Sequence, residues 1–225
     1  MPLVSWWLII TSVRRLEIPF IDTDGVQEVE QISQLMDALK TTPIDCNPWP
    51  AYQANADAKF SMAHNGKSIL LKYMISEKYL LANEVTNGNI HNDSCVELFI
   101  AFDSNGYYNL EFNCLGFTKI GYGTGRHGRR LLPVDVIKQL SFSSKINSNS
   151  TINTNTGFDW EIMLVIPKEI FTKHQITSFH NLKAKGNFYK CGDGLPQPHF
   201  LTWNMIEAEK PDFHRKEFFG ELEFS

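Results

Sequence analysis

The sequence predicts an all-β domain, a two-sheet antiparallel β-sandwich of jelly-roll type with one or two short helices. Short apolar runs with period-two alternation recur through most of the chain. Turn pairs such as Asn65-Gly66 and Asn105-Gly106 separate them. Apolar residues at helical spacing are concentrated in one segment near the N-terminus. Roughly nine to eleven strands with irregular connections fit two packed sheets. The 225 residues are enough to bury one large core, and no repeat or low-complexity linker divides them.

Residues 1–13 read as an N-terminal extension, with a single domain over 14–225. The run 3–10 (LVSWWLII) is apolar but too short to span a bilayer. Arg14 and Arg15 follow it instead of preceding it, unlike a secretory signal. Residues 14–21 (RRLEIPFI) suit an edge strand, because Pro19 cannot donate to a central ladder. Val26, Val29, Ile32, Leu35, Met36 and Leu39 lie at helical spacing ahead of Lys40, so a surface helix is expected over 26–39. Pro43, Pro48 and Pro50 then enforce a loop around Trp49.

From residue 58 onward the chain reads mostly as strands. KFSMAH (59–64) and SILLKYMIS (68–76) flank Asn65-Gly66 as a hairpin. A second hairpin covers 94–115, followed by a strand at 117–122 and at most one strand in the Ser, Asn and Thr-rich stretch 141–156. FDWEIMLVI (158–166) is a strand ended by Pro167 and a short helical turn to Phe171. Strands at 182–190, 200–203 and 217–224 complete the set.

The second hairpin organises the rest. Val96, Leu98, Ile100 and Phe102 alternate with Glu97, Phe99 and Ala101, and Tyr108, Leu110, Phe112 and Cys114 with Asn109, Glu111 and Asn113. A two-residue loop would pair Ile100 with Glu111 and mix core with solvent. An odd loop over 103–107 instead pairs Leu98 with Phe112, Ile100 with Leu110, Glu97 with Asn113 and Phe99 with Glu111, keeping the apolar sets on one face. The other face then carries Glu97, Phe99, Asn109, Glu111 and Asn113. Short amides, carboxylates and an aromatic suit hydrogen bonding to a polar ligand, although a solvated face is equally open.

The net charge of −4 argues against nucleic acid or an anionic membrane surface as partner. Cys46, Cys95, Cys114 and Cys191 are widely spaced with no CxxC pair, which fits neither a disulfide framework nor a zinc site. Cys114 suits a buried thiol, while Cys95 is open to exposure. Cys191, Asp193 and His199 match no standard zinc spacing.

GTGRHG (123–128) satisfies GxGxxG but lacks a following helix and a βαβ unit, so a flexible basic loop is expected. Its Arg126, His127, Arg129 and Arg130 would clamp a ligand or pair with Glu97 or Glu111. Those two carboxylates, placed diagonally on adjacent strands, permit a glycosidase pair, but basic neighbours would lower both pKa values. The segment 187–220 places Tyr189, His199, Trp203, Asp212 and His214 among turn residues, where binding groups often sit. Trp203 would stack on a sugar ring or belong to the core.

HNDSCVELFIAF, YYNLEFNCLG, NFYKCGD, PHFLTWN and PDFHRKEFFGELEF together resemble the family 9 carbohydrate-binding-module-like proteins, in particular their free-standing Bacteroidetes type. The resemblance runs from about Arg14 to Ser225. It implies a β-sandwich with a shallow sugar site on one sheet, where two tryptophans clamp terminal sugars. By position Trp203 matches one clamp residue and His91 stands where the other is expected. Glu111 replaces an arginine of the family pattern, and Asn187 and Tyr189 fall on the strand that supplies amide contacts. The resemblance also implies structural calcium in some members, without naming ligands here, and no cofactor.

The expectation is therefore non-catalytic binding of an oligo- or polysaccharide, in polysaccharide utilisation. Trp203 would be the platform, with His91, Glu97, Asn109, Glu111, Asn113, Arg126, Asn187 and Tyr189 around it. The alternatives are a glycan hydrolase using Glu97 and Glu111, or a haem or redox sandwich using His64, Met62 and Met74. The residues specify neither compartment nor oligomeric state.

Overall fold

A computed structural model describes residues 13–53, 56–149 and 157–225, so the apolar run 3–10 lies outside the described residues. In chain order the strands are β1 (Arg15–Ile18), β2 (Thr42–Pro43), β3 (Ala56–His64), β4 (Ser68–Glu77), β5 (Cys95–Ala101), β6 (Tyr107–Asn113), β7 (Thr118–Gly123), β8 (Arg130–Leu131), β9 (Ser141–Asn149), β10 (Gly157–Pro167), β11 (Lys183–Cys191), β12 (Phe200–Thr202) and β13 (Gly220–Phe224). Two α-helices, α1 (Val29–Met36) and the single turn α2 (Val134–Ile137), complete the α-helical content of the described residues. One sheet runs β1-β13-β11-β5-β6-β7-β8, with β12 added to β11, and the other runs β2-β3-β4-β10-β9. β1 pairs with β13 in parallel, and the other ladders are antiparallel.

The sandwich matches the expected class, and the local differences have physical reasons. The helix is shorter than 26–39: Glu28 is already extended, at φ −92° and ψ 133°. Val26 and Leu39 pack against the same apolar patch from the flanking turns, so their helical spacing reflects shared burial. Thirteen strands appear among the described residues because the two-residue ladders β2 and β8 carry no alternation signal. The polar stretch from 141 holds β9, which among the described residues is an edge strand paired with β10 alone.

The central hairpin keeps the expected parity but not the expected register. Leu98 faces Leu110, Glu97 faces Glu111 and Phe99 faces Asn109. The five-residue loop therefore covers 102–106, one position earlier than expected, and the pairing slides by two residues. A shift of two preserves the faces, so alternation alone could not distinguish the registers. In consequence the two carboxylates are direct cross-strand neighbours rather than diagonal ones.

Leu98, Leu110, Phe112, Phe60, Tyr73 and Phe188 fill the space between the sheets. Phe60 and Phe188 stack across it with ring centroids 3.8 Å apart. Trp203 belongs to this core and corrects the expectation of a sugar-stacking platform. Its side chain is within a residue 2% exposed and meets Phe60 and Phe188 edge-on at 6.5 and 5.5 Å. Any Cβ at Gly220 would come within 2.3 Å of its ring, so the indole backs onto the bare backbone of β13. Cys95, whose exposure the sequence leaves open, is fully buried.

A charged group is also enclosed. Lys190 Nζ lies 2.9 Å from Glu77 Oε2, and Trp160 Nε1 donates to Glu77 Oε1 at 2.6 Å. His199 stands 3.9 Å from the same carboxylate, its pKa pushed down to about 4 by burial and then by Lys190. The fold therefore refuses a proton that the unfolded chain accepts near pH 6.5, so stability falls as pH drops from 6.5 toward 4. From this group the loss should be on the order of 3 kcal/mol at pH 4. Urea midpoints at pH 7 and 4 check it: the drop should shrink in His199→Asn, and an unchanged drop contradicts it. Trp203→Ala should cost about 3–5 kcal/mol of stability, read as a lowered Tm; an unchanged Tm contradicts the core placement.

Candidate functional site

β5 and β6 are buried along their whole length, on both faces. One face belongs to the inter-sheet core. The other carries Glu97, Phe99, Tyr107, Asn109 and Glu111 and is covered by loops instead of a sheet. Between those loops remains a cleft of about 420 Å³. Its lining includes the buried Glu97, Asn109, Glu111 and Cys191, the loop arginines Arg126 and Arg129, the aromatic Phe200, Phe213 and His214, and His91 and Asp193.

Arg129 ties the basic loop to the strands. Its Nε donates to Asn109 Oδ1 at 2.7 Å, and its terminal nitrogens donate to the carbonyls of Gly125, Tyr107 and Gly121 at 2.9, 2.9 and 3.1 Å. The guanidinium lies 4.3 Å from the Tyr107 ring centroid. A Cβ at Gly121 would sit 2.8 Å from Asn109 Oδ1, so glycine there keeps this crossing open. Asn109 passes the polarisation on, donating from Nδ2 to Glu111 Oε1 at 2.8 Å.

Among the described residues, Glu111 Oε2 is buried without a hydrogen-bond partner; His91 Nδ1 lies 3.7 Å away and Lys119 Nζ 4.0 Å. The contact with Glu111 raises the His91 pKa above the ordinary imidazole value. Glu97 Oε1 accepts from Cys191 Sγ at 3.2 Å. Burial, and then the neighbouring Glu111 charge, holds Glu97 well above the usual carboxylate range, the reverse of the expected lowering. Arg126 and Arg129 do not pair with these carboxylates: Arg129 takes Asn109, and Arg126 Nη1 lies 3.9 Å from Asp212 Oδ1. On the aromatic side Tyr107 Oη and His214 Nδ1 share a hydrogen bond of 2.8 Å. Burial, followed by Arg129 and Arg126, pushes the His214 pKa down to about 3.

The cleft thus brings together His91, Glu97, Asn109, Glu111 and Arg126 and leaves four expected residues outside it. Asn113 lies beneath: its Nδ2 donates to Asp93 Oδ2 at 2.8 Å, and its Oδ1 accepts from the amides of Leu115 and Phe117. Asn187 is bound to Asn204 in both directions, at 2.9 and 2.8 Å. Tyr189 stacks on Phe213 at 4.1 Å and donates its hydroxyl to the Phe213 carbonyl at 3.2 Å. Trp203 is core. The first three share the face of the site residues, but neighbouring polar and aromatic groups saturate them. Phe200, Phe213, Asp193 and Cys191 enter the cleft without having been expected there. All four lie within the compositionally unusual segment 187–220, but nothing in the sequence separates them from its other members.

Other readings lose their geometry. The glycines of 123–128 form a loop, and the next helix, α2, begins only at Val134. Met62 packs in the inter-sheet core, whereas Met74 lines a groove on the outer face of the same sheet. The two methionines therefore cannot hold one iron. His64 Nε2 is engaged by the Ser225 carbonyl at 2.8 Å. That outer groove is larger, about 1060 Å³, and part of its polar lining is already engaged, Lys145 with Glu161 at 3.4 Å and Ser76 with Asp159. Calcium asks for six to eight oxygen donors. Glu97 stands between two thiols, and Asp93 accepts the amides of Asn83 and Glu84, so neither of these carboxylates fits that ion.

The profile of carbohydrate-binding family 9 matches residues 30–224. A crystal structure of a candidate carbohydrate-binding protein from Bacteroides uniformis is similar, with 33% identity and a TM-score of 0.86 over 95% of this chain and 100% of that one. Family 9 modules from Caldicellulosiruptor kristjanssonii, solved with glucose and with cellotriose, share the fold. Their identities are 11% and 13%, and their TM-scores 0.55 and 0.56. Each alignment covers 94% of this chain, and 96% and 93% of those chains respectively. No curated protein matches the chain. With its profile spanning nearly the whole sandwich, the chain belongs to carbohydrate-binding family 9.

Proposed function

We propose that the cleft over β5, β6 and β11 binds the end of a neutral oligosaccharide without cleaving it, with β-linked glucose units as the ligand class. The observation that carries this reading is the convergence of carboxylates, an amide and arginines on one cleft with phenylalanines at its wall. A sugar hydroxyl both donates and accepts, so it can give to the unfilled Glu111 Oε2 and take from a guanidinium in the same site. The volume falls within the range of about 300–1,000 Å³ that small-ligand sites occupy. The sugar-bound relatives support a saccharide as the ligand.

In this reading Glu111, Asn109 and Glu97 read hydroxyls from below, and Arg126 and Arg129 approach from the loop. Phe200 and His91 offer ring surface in place of the buried Trp203. Asn113, Asn187 and Tyr189 hold the floor rigid. A shallow site of this kind displaces little water and binds weakly, which suits repeated capture and release of chain ends in polysaccharide utilisation.

Calorimetric titration with cellotriose and glucose tests it. Wild type should bind, and Glu111→Gln and Phe200→Ala should each weaken Kd by about tenfold, as expected for the loss of one buried hydrogen-bonded or stacking partner. Variants that bind as wild type would place the sugar elsewhere. Release of glucose from cellotriose by wild type, abolished in Glu111→Gln, would instead favour a hydrolase using Glu97 and Glu111.

A further inference from the structure

The floor of the cleft holds a second arrangement, in which Glu97 of the proposed sugar site meets two thiols that the sugar reading leaves unused. Cys95 on β5 and Cys191 on β11 are direct cross-strand partners. Glu97 follows Cys95 by two residues and therefore points from the same face. The donor atoms of these three residues all lie within 4.8 Å of one another, and all three residues are buried. Cys191 Sγ is 3.2 Å and Cys95 Sγ 3.9 Å from Glu97 Oε1. Zinc bonds of about 2.3 Å to sulfur and 2.0 Å to oxygen give tetrahedral edges of roughly 3.5–3.8 Å, so the donors already stand near a coordination face.

We propose that Cys95, Cys191 and Glu97 form a binding site for a thiophilic divalent cation of the zinc class. Two thiols and one carboxylate suit such an ion and are poor donors for calcium or magnesium. Three protein ligands leave a fourth position. Glu97 and Cys191 line the cleft, so that position opens toward it and takes water or a ligand oxygen. Glu111, paired with Glu97 across the strands, has a buried oxygen without a hydrogen-bond partner and stands as the outer-shell acceptor for the bound water. Binding releases the protons the three donors carry. Two thiolates and a carboxylate around a dication leave one net negative charge, which Lys119 and His91 face through Glu111. The sequence hid the site because its two cysteines lie 96 positions apart along the chain and outside any CxxC pattern; only the β5–β11 register joins them.

The test uses the full chain, reduced, treated with chelator and titrated with Co(II) as a probe for zinc. About one equivalent should produce thiolate-to-cobalt charge-transfer absorption with tetrahedral d–d bands, and Zn(II) should displace it. Cys191→Ser should weaken metal binding by more than about 100-fold, beyond what loss of an outer-shell partner costs. Cys46→Ser should leave it unchanged. Should the serine variant not fold, zinc-edge X-ray absorption of wild type decides, with two sulfur scatterers expected at about 2.3 Å. Reduced, folded wild type that gives no thiolate band overturns the proposal. So do a full band in a folded Cys95→Ser/Cys191→Ser protein and a zinc shell of nitrogen and oxygen alone. No sugar enters these readouts, so failure here and failure of cellotriose binding are separate results.

Discussion

The structure depends on a polar strand face being buried. β5 and β6 alternate as any half-exposed pair would, yet neither face of either strand meets open water. Carboxylates and amides placed under loops cost free energy unless each finds a partner, and that requirement shapes everything above the face. Arg129 brings the loop after β7 down onto Asn109, and Asn109 orients Glu111. Asn113 holds Asp93 and the turn after β6. Asn187 holds Asn204, whose Nδ2 in turn donates to the Phe218 carbonyl. The loops are therefore pinned by the same residue types that would otherwise seek water.

What stays unpartnered within this network defines the site. Among the described residues Glu111 Oε2 accepts no hydrogen bond, Glu97 has thiol donors on its Oε1, and both residues line the cleft. Such groups are costly for folding and useful for binding, because a ligand supplies the partner that the protein withholds. The aromatic wall follows the same division of labour. Tyr189 and Phe213 stack at an interplanar angle of 10° and close the lower part, while half-buried Phe200 remains available at the edge.

Sequence reasoning captured what period and turn chemistry specify. The two hairpins, the strand at 158–166 and the edge position of β1 all follow from alternation, Asn-Gly pairs and Pro19, and the parity of β5 and β6 put Glu97, Asn109 and Glu111 on one face. It could not see a register shift of two, since both registers bury the same residues; that shift set Glu97 opposite Glu111. Trp203 was misplaced because an indole beside turn residues reads the same whether it faces solvent or a glycine on the next strand. Arg126 and Arg129 lie in one loop with equal sequence claims, and only the β7–β8 register, which sets Arg129 over the glycines of β7, selects it for Asn109. Phe200, Phe213 and Cys191 join the cleft through long-range packing, which no local pattern encodes.

The central claim is that the loop-covered face of the larger sheet, and not the open groove of the smaller one, takes the ligand. Two-dimensional NMR of the labelled protein titrated with cellotriose tests it most directly. The account predicts shifts in the Asn109 side-chain amide, the Arg129 Nε–H and the His91 ring, with Lys59, Ser76 and Lys145 undisturbed. Shifts confined to Lys59, Ser76 and Lys145 would move the site to the five-stranded sheet and contradict it.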